Sequence, residues 1–149
     1  MKVTYDANIF IGRKVEVFPR GFFLSTVVLA ELQAGAQDRS DMKRFEVLRR
    51  TVESFDQLLV PSAEDWWETG KALQRLSQGS KLENFGSTPR ISPEERHRLF
   101  NDVLLAVSCR RAGITLITDN LKDFERIANV CRIKFSSGDE FFTPPDVSV

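Results

Sequence analysis

Several residue types are scarce in this chain, and their scarcity narrows the classes of protein it can represent. The 149 residues include two cysteines and one histidine. Cys109 and Cys131 have neither a metal-binding spacing nor a disulfide framework around them, so we expect core thiols in a reducing compartment. His97 lies on a charged helix face, and we expect it to be exposed and to have no catalytic role.

The chain also lacks an excess of charge and a long hydrophobic run. Lysine plus arginine and aspartate plus glutamate number 21 each, which removes the simplest reason to expect nucleic-acid binding, a strongly basic chain. No run approaches the length of a membrane span, and the N-terminus does not have the layout of a signal peptide. We expect a cytoplasmic protein with no membrane association, in which a polyanion would need a locally basic groove.

The composition is that of one folded domain. Apolar residues make up 42% of the chain and charged residues 28%, and the length suffices to bury a core without disulfides. Short β-branched runs alternate with helical segments as far as CRIKF, which predicts an α/β fold with a mostly parallel sheet covered on both sides. We assign residues 1–135 to this domain and 136–149 to a flexible C-terminal tail.

Capping signals and apolar periodicity locate the individual elements. The clearest helix begins at Ser92, with Pro93 in its first turn and Glu95 as the reciprocal acid of a capping box, and it ends at Gly113. The preceding run QGSKLENFGSTPR is expected to be an exposed loop. Further helices are expected from Ser25 to about Gly35, over residues 40–55 and 62–78, and in NLKDFERIAN; strands are expected at VTY, QLLVP, ITLIT and CRIKF.

Acidic residues occur at two strand ends and inside two apolar helices. Asp6 follows VTY and Asp119 follows ITLIT, and the carboxyl ends of parallel strands form the ligand-binding edge of such a sheet. Glu31 lies in VVLAELQAGA and Asp102 in LFNDVLLAVSC, where an unpaired charge is costly. Singly, each acid is better explained as a turn, cap or surface residue. Together they would repel one another unless a cation held them, and hard oxygen ligands select Mg²⁺ or Mn²⁺.

The stretches YDANIFI, STVVLAEL and NDVLLAVSCRRAGITLITDNLKDFE resemble the successive motifs of PIN-domain ribonucleases, above all the VapC-type toxins of toxin–antitoxin pairs. The resemblance implies a single PIN-like domain with a parallel five-stranded sheet and helices on both faces. It also implies a metal-dependent endoribonuclease that hydrolyses phosphodiester bonds in single-stranded regions of RNA, acting as the toxin of a type II system. A cognate antitoxin protein and a second copy of the chain, in a homodimer, are the implied protein partners.

The same resemblance assigns roles to individual side chains. Asp6, Glu31 and Asp102 match the three core acids of the family. Asp6 and Asp102 would bind Mg²⁺ or Mn²⁺, while Glu31 would hold a water of the metal or help to deprotonate it. Asn8 and Thr118 match polar positions that orient these acids.

Three residues compete for a fourth position in the resemblance. The family has Asn or Asp two residues after the threonine, where this chain has Asn120, and the acid Asp119 comes one place earlier. Asp123 lies a turn further along and is better placed as a first-turn acid of a helix. We predict that Asp119 completes the catalytic set and that Asn120 supports it.

Contacts with the RNA backbone would need a local patch, for which the candidates are Arg13, Lys14, Lys81, Arg90, Arg110 and Arg111.

Two other enzyme or signalling classes fit less well. A phosphoacceptor receiver needs an acidic pair after its first strand, and residues 6–12 hold one acid. A phosphatase with an aspartate nucleophile needs a second aspartate where Asn8 stands. The remaining alternative is a catalytically inactive PIN-like module that binds RNA or protein, against which the three intact core acids argue.

Overall fold

Short strands and helices alternate along most of the chain. The computed structural model describes residues 1–78, the backbone of two short strands at 81–82 and 86–87, and residues 90–143. In chain order the elements are β1 (Val3–Tyr5), α1 (Ala7–Gly12), β2 (Leu24–Ser25), α2 (Thr26–Ala34), α3 (Arg39–Ser54), β3 (Leu58–Leu59), α4 (Ala63–Gln78), β4 (Lys81–Leu82), β5 (Gly86–Ser87), α5 (Pro93–Ala112), β6 (Thr115–Ile117), α6 (Leu121–Ala128), β7 (Phe135–Ser136) and α7 (Gly138–Phe142). The predicted α/β class is confirmed.

The parallel strands form two small sheets, whereas the sequence predicts one sheet of five strands. Three strands pair in the order β1-β6-β7, and β2 pairs with β3. A single parallel bridge between Val3 and Phe22 joins β1 to the residues just before β2. Because Ser25 is already the N-cap of α2, β2 ends after two residues and cannot extend this bridge into a ladder. The prediction of five strands in one sheet is therefore correct only in part.

Helix α5 packs through the core and begins and ends as the sequence predicts. The Ser92 hydroxyl accepts the Glu95 N–H at 3.1 Å, and Gly113 ends the helix with φ 67°, a left-handed conformation that glycine adopts without strain. The Glu95 carboxylate binds Arg126 at 3.1 Å, so it forms an ion pair with α6 where the sequence predicts the reciprocal bond of a capping box. The buried side chains of α5 are Leu99, Val103, Leu104, Leu105, Ala106, Val107, Ser108 and Cys109.

Residues 136–143 are folded, whereas the sequence predicts a flexible tail that starts at residue 136. Helix α7 occupies Gly138–Phe142. The rings of Phe141 and Phe142 lie 6.0 and 5.5 Å from the ring of Tyr5, a fully buried residue of β1. These aromatic contacts explain the order, because they bury apolar surface that a tail would leave in water. Residues 144–149 lie outside the described residues, and the domain boundary at residue 135 stays a prediction.

The remaining expectations have mixed outcomes. Cys109 and Cys131 are free and buried, and His97 is exposed, as predicted. Most of the predicted loop QGSKLENFGSTPR lies outside the described residues, and β4 and β5 pair antiparallel within it. Among the helices that the structure describes, none combines the length and the apolar character needed to cross a lipid bilayer.

Candidate active site

Asp6 is the centre of a buried hydrogen-bond network at the carboxyl end of β1. Its Oδ1 atom accepts the N–H of Ala7 at 2.8 Å. Its Oδ2 atom accepts the Thr118 hydroxyl at 2.8 Å and the Asn8 side-chain amide at 3.1 Å. Asp6 is also the N-cap of α1, a short helix that sequence reasoning did not predict. An aspartate directly after the strand thus ends β1, starts α1 and places a carboxylate at the edge of the sheet.

Asn8 and Thr118 connect the ends of the adjacent strands β1 and β6. The Thr118 hydroxyl oxygen accepts the backbone N–H of Asn120 at 3.0 Å and lies 3.4 Å from the amide nitrogen of Asn8. The Oδ1 atom of Asn8 accepts the backbone N–H of Asp119 at 3.1 Å. The two residues expected to orient the acids therefore both contact Asp6 directly.

Glu31 reaches the same region from α2. This helix begins at Ser25, whose hydroxyl accepts the Val27 N–H at 3.2 Å. Glu31 is half-buried. Burial raises the pKa of its carboxyl, and the charge of Asp6 raises it further, while a hydrogen bond from the Asn101 side chain of α5 acts in the opposite direction.

Asp102 lies at the edge of the apolar surface of α5 and is half-buried, as its helical position predicts. Burial, followed by the charges of Asp6 and Glu31, raises the pKa of Asp102 to about 7. Burial likewise raises the pKa of Asp6, although its hydrogen bonds with Thr118, Ala7 and Asn8 oppose this effect. Asp6, Glu31 and Asp102 are therefore all within electrostatic reach of one another.

The cation nearest to Asp102 along α5 is already engaged. Arg98, one turn earlier on the same helix, binds the Oδ2 atom of Asp123 at 2.7 Å. Asp123 is buried and also accepts the Asn120 side-chain amide at 3.0 Å, and its bond with Arg98 lowers the pKa of its carboxyl. Arg98 favours the charged form of Asp102 only weakly in comparison with burial. Sequence reasoning missed Arg98, although its spacing of four residues from Asp102 is a detectable signal.

Asp119 is exposed and pairs with an arginine. Its Oδ2 atom accepts a hydrogen bond from Nε of Arg13 at 3.0 Å, and its Oδ1 atom accepts one from Nη2 of Arg13 at 3.1 Å. The Oδ1 atom also accepts a hydrogen bond from the backbone N–H of Gly138 at 3.1 Å. The bond with Arg13 lowers the pKa of Asp119. The predicted fourth acid thus differs from Asp6, Glu31 and Asp102, whose pKa values are all raised.

The carboxylate oxygens of the candidate site are ligands that suit a hard cation, but their arrangement is not that of a preformed metal site. Among the described residues, no three Asp, Glu, His or Cys side chains come together closely enough to form a ready-made metal site. Burial nevertheless penalises the charged forms of the Asp6, Glu31 and Asp102 carboxyl groups, and the charge of Asp6 adds to the penalty for the other two. A divalent cation between them would remove that penalty, and oxygen donors suit Mg²⁺ or Mn²⁺.

Three of the basic residues proposed from the sequence already bind other groups of the protein. Arg13 is paired with Asp119, and Arg111 binds the buried Asp65 at 2.8 Å. Arg90 contacts the carbonyl of Gln78 at 3.4 Å. Lys14 and Arg110 are exposed, and the side chain of Lys81 lies outside the described residues.

Comparison with known proteins gives one family and several similar folds. The PIN domain profile matches residues 6–130. No curated protein matches the chain. A chain of DNA-bound VapBC from Salmonella typhimurium is 23% identical, with a TM-score of 0.60, and the match covers 92% of this chain and 98% of that one. For VapBC-1 from nontypeable Haemophilus influenzae the identity is 20% and the TM-score 0.59, over 92% of this chain and 98% of that one. At these identities the likeness is one of fold.

Proposed function

The chain belongs to the PIN domain family, and on that premise we propose that it is a metal-dependent endoribonuclease, the toxin of a type II toxin–antitoxin system. The observation that carries this proposal is the meeting of three acids: Asp6 is held by hydrogen bonds at the carboxyl end of β1, and its charge raises the pKa values of Glu31 on α2 and Asp102 on α5. Three neighbouring acids whose pKa values are all raised by burial are typical of a functional site and costly for a purely structural one.

Each acid has a separate role in this proposal. Asp6 and Asp102 would hold Mg²⁺ or Mn²⁺, and Asn8 and Thr118 fix the orientation of the Asp6 carboxylate. When bound, the cation supplies Lewis-acid chemistry, polarising the scissile phosphate and lowering the pKa of water. Glu31, whose pKa is raised by burial and by Asp6, accepts a proton from the attacking water. Water attack on the phosphodiester leaves a 5′-phosphate and a 3′-hydroxyl.

The proposed partners follow from the same family assignment. The substrate is single-stranded RNA, which the toxin would meet in the cytoplasm, and two free thiols fit a reducing compartment. The similar structures are VapBC proteins, one of which is described as a member of the VapBC family of toxin-antitoxin systems, and we propose a cognate antitoxin as the protein partner. A homodimer is the proposed form of the toxin.

Cleavage of a mixed set of single-stranded RNAs tests the proposal. Purified protein should cleave in Mg²⁺ or Mn²⁺ and stop in EDTA, and Glu31→Gln should lower the rate by at least about 100-fold. Glu125→Gln is the matched control, because Glu125 is an exposed residue of α6 and the change removes the same charge. Cleavage that persists in EDTA would contradict the metal mechanism. RNA binding by the wild type without cleavage in either metal would favour the inactive binding module.

A further inference from the structure

We infer that Arg13 and Asp119 form a clasp through which helix α7 positions the polar residues around Asp6. The name clasp is used here for the contacts among Arg13, Asp119, Gly138 and Asp139. The inference rests on the proposed function, since it assigns to Arg13 and Asp119 the role of positioning residues for the proposed reaction.

Arg13 connects three parts of the fold through one guanidinium group. It is the C-cap of α1, and its Nε and Nη2 atoms bind both oxygens of Asp119, the residue that follows Thr118. Its Nη2 atom also binds Asp139 of α7 at 2.7 Å, and its guanidinium lies 5.6 Å from the ring centre of Phe142. A two-point bond between arginine and carboxylate fixes the relative orientation of the groups it joins, which a single point charge does not.

Gly138 closes the clasp on the side of α7. Its N–H donates to the Oδ1 atom of Asp119 at 3.1 Å. A Cβ atom added at residue 138 would lie 2.5 Å from the Nε atom of Arg13. A side chain at residue 138 would therefore displace the Arg13 guanidinium group and disturb its bonds to Asp119.

The clasp reaches the candidate active site through Asn8. The backbone N–H of Asp119 donates to Oδ1 of Asn8 at 3.1 Å, and the amide nitrogen of Asn8 donates to Oδ2 of Asp6 at 3.1 Å. The first bond sets the orientation of the amide, because it holds the oxygen of Asn8 on Asp119 and therefore turns the nitrogen toward Asp6. A flipped amide would present its oxygen to the Asp6 carboxylate, and two acceptors repel.

This assignment changes the role predicted for Asp119. Both of its carboxylate oxygens already accept hydrogen bonds, from Arg13 and Gly138. Asp119 therefore acts on Asp6 through its backbone and Asn8, while Asp6, Glu31 and Asp102 supply the carboxylates for the cation.

A double-mutant cycle distinguishes positioning from metal binding. Arg13→Gln and Asp119→Asn should each lower kcat for RNA cleavage by about tenfold, with KM for RNA changed less than about twofold, and the double variant should be no slower than the worse single variant. Arg20→Gln, at an exposed arginine outside the clasp, controls for the lost charge. If Asp119 were a metal ligand, Asp119→Asn alone would raise the Mg²⁺ concentration for half-maximal rate by tenfold or more.

A second measurement does not depend on activity. In the metal-free protein, NMR should show that the side-chain amide protons of Asn8 exchange faster and shift in both clasp variants, and not in Arg20→Gln. Three results would overturn the inference. They are unchanged Asn8 signals, a kcat that does not change in variants of an active protein, and a tenfold or larger rise, in Asp119→Asn, of the Mg²⁺ concentration for half-maximal rate. If the wild type does not cleave RNA, the proposed function fails, and the Asn8 signals alone decide whether the clasp positions this network.

Discussion

The hydroxyl of Thr118 donates a 2.8 Å hydrogen bond to the Oδ2 atom of Asp6, although 112 positions separate the two residues in the chain. The bond follows from the sheet, because β1 and β6 are adjacent parallel strands with Tyr5 opposite Ile117. Each polar residue is the first after its strand, so both lie at the same edge. Strand register and the turn residues that end each strand together build this part of the site.

Thr118→Val should disturb the site without changing its shape. Valine leaves the Asn120 N–H without its acceptor and Asp6 without one of its donors, which we expect to cost about 1 to 3 kcal/mol of unfolding free energy. RNA cleavage should fall as well, because the Thr118 bond also favours the charged form of Asp6. Urea unfolding and cleavage rates check this. Thr51→Val is the control, since the exposed Thr51 bonds only to its own helix, and equal losses in the two variants would contradict the prediction.

The sequence predicts this edge of the sheet well, because its signals are local. A short β-branched run followed by Asp6 or by Thr118 marks a strand end, and alternation of strands and helices implies a parallel sheet. The buried surface of α5 follows equally well from its apolar periodicity, which places Asp102 at the margin. The sequence also predicts the helix start at Ser25 that ends β2, but no comparable pattern indicates that β2 pairs with β3 in a separate sheet.

Asp102→Asn should raise the stability of the metal-free protein more at pH 8 than at pH 5. The pKa of Asp102 is raised from 3.8 to about 7 in the folded state, so the folded protein binds this proton more tightly than the unfolded chain does. The free energy of unfolding of the wild type therefore falls as pH rises from about 4 to 7, and above pH 7 this group lowers it no further. The raised pKa of Asp102 corresponds to about 4 kcal/mol of unfolding free energy at most. Because the side chain is partly exposed, we expect Asp102→Asn to stabilise the protein by about 1 to 3 kcal/mol at pH 8.

Thermal unfolding in EDTA measures this gain. The difference between the Tm increases at pH 8 and pH 5 should be about 5 °C. The same variant should lose Mg²⁺-dependent cleavage, because the amide cannot replace a charged ligand. Glu125→Gln, which removes an exposed charge, should show no such pH dependence. Equal Tm increases at both pH values would mean that Asp102 does not carry the raised pKa.

Mg²⁺ binding should release a proton near pH 6. Asp102 is largely protonated there, since burial and the charges of Asp6 and Glu31 raise its pKa to about 7, whereas a ligand to the cation must be ionised. Affinity for Mg²⁺ should therefore fall by up to about tenfold for each pH unit below 7. Titration calorimetry in two buffers of different ionisation enthalpy measures the proton. Heats that are independent of buffer at pH 6 would exclude Asp102 as the titrating ligand.

The contacts that sequence reasoning missed join residues that are distant in the chain. Arg13 and Asp119 are 106 positions apart, and the partner that completes their clasp lies in α7, which the sequence represents as a tail. The aromatic pair in EFF carries no periodicity by itself, and its packing on Tyr5 becomes visible only once β1 and β7 are neighbours of β6. For the same reason the sequence suggests only RNA contacts for Arg13 and Arg111, whose guanidinium groups bind carboxylates of other elements.

Arg111→Gln should destabilise the fold, because Arg111 compensates a buried charge. Its Nε atom binds Oδ2 of Asp65 at 2.8 Å and its Nη2 atom binds the carbonyl of Val60 at 3.1 Å, while only 2% of the Asp65 side chain is exposed. The same Asp65 oxygen accepts the Ser62 N–H that starts α4. Removing one partner of a buried pair is strongly destabilising, but the Arg111 side chain is 43% exposed and screened by water, so we expect a loss of about 2 kcal/mol. Urea unfolding followed by circular dichroism measures this loss, with Arg20→Gln as the control for a lost surface charge.

A double variant tests whether Arg111 and Asp65 act as a pair. Arg111→Gln combined with Asp65→Asn should lower the free energy of unfolding by less than the sum of the two single changes, because the asparagine does not need the cation. Strictly additive losses would show that the pair does not act as a unit.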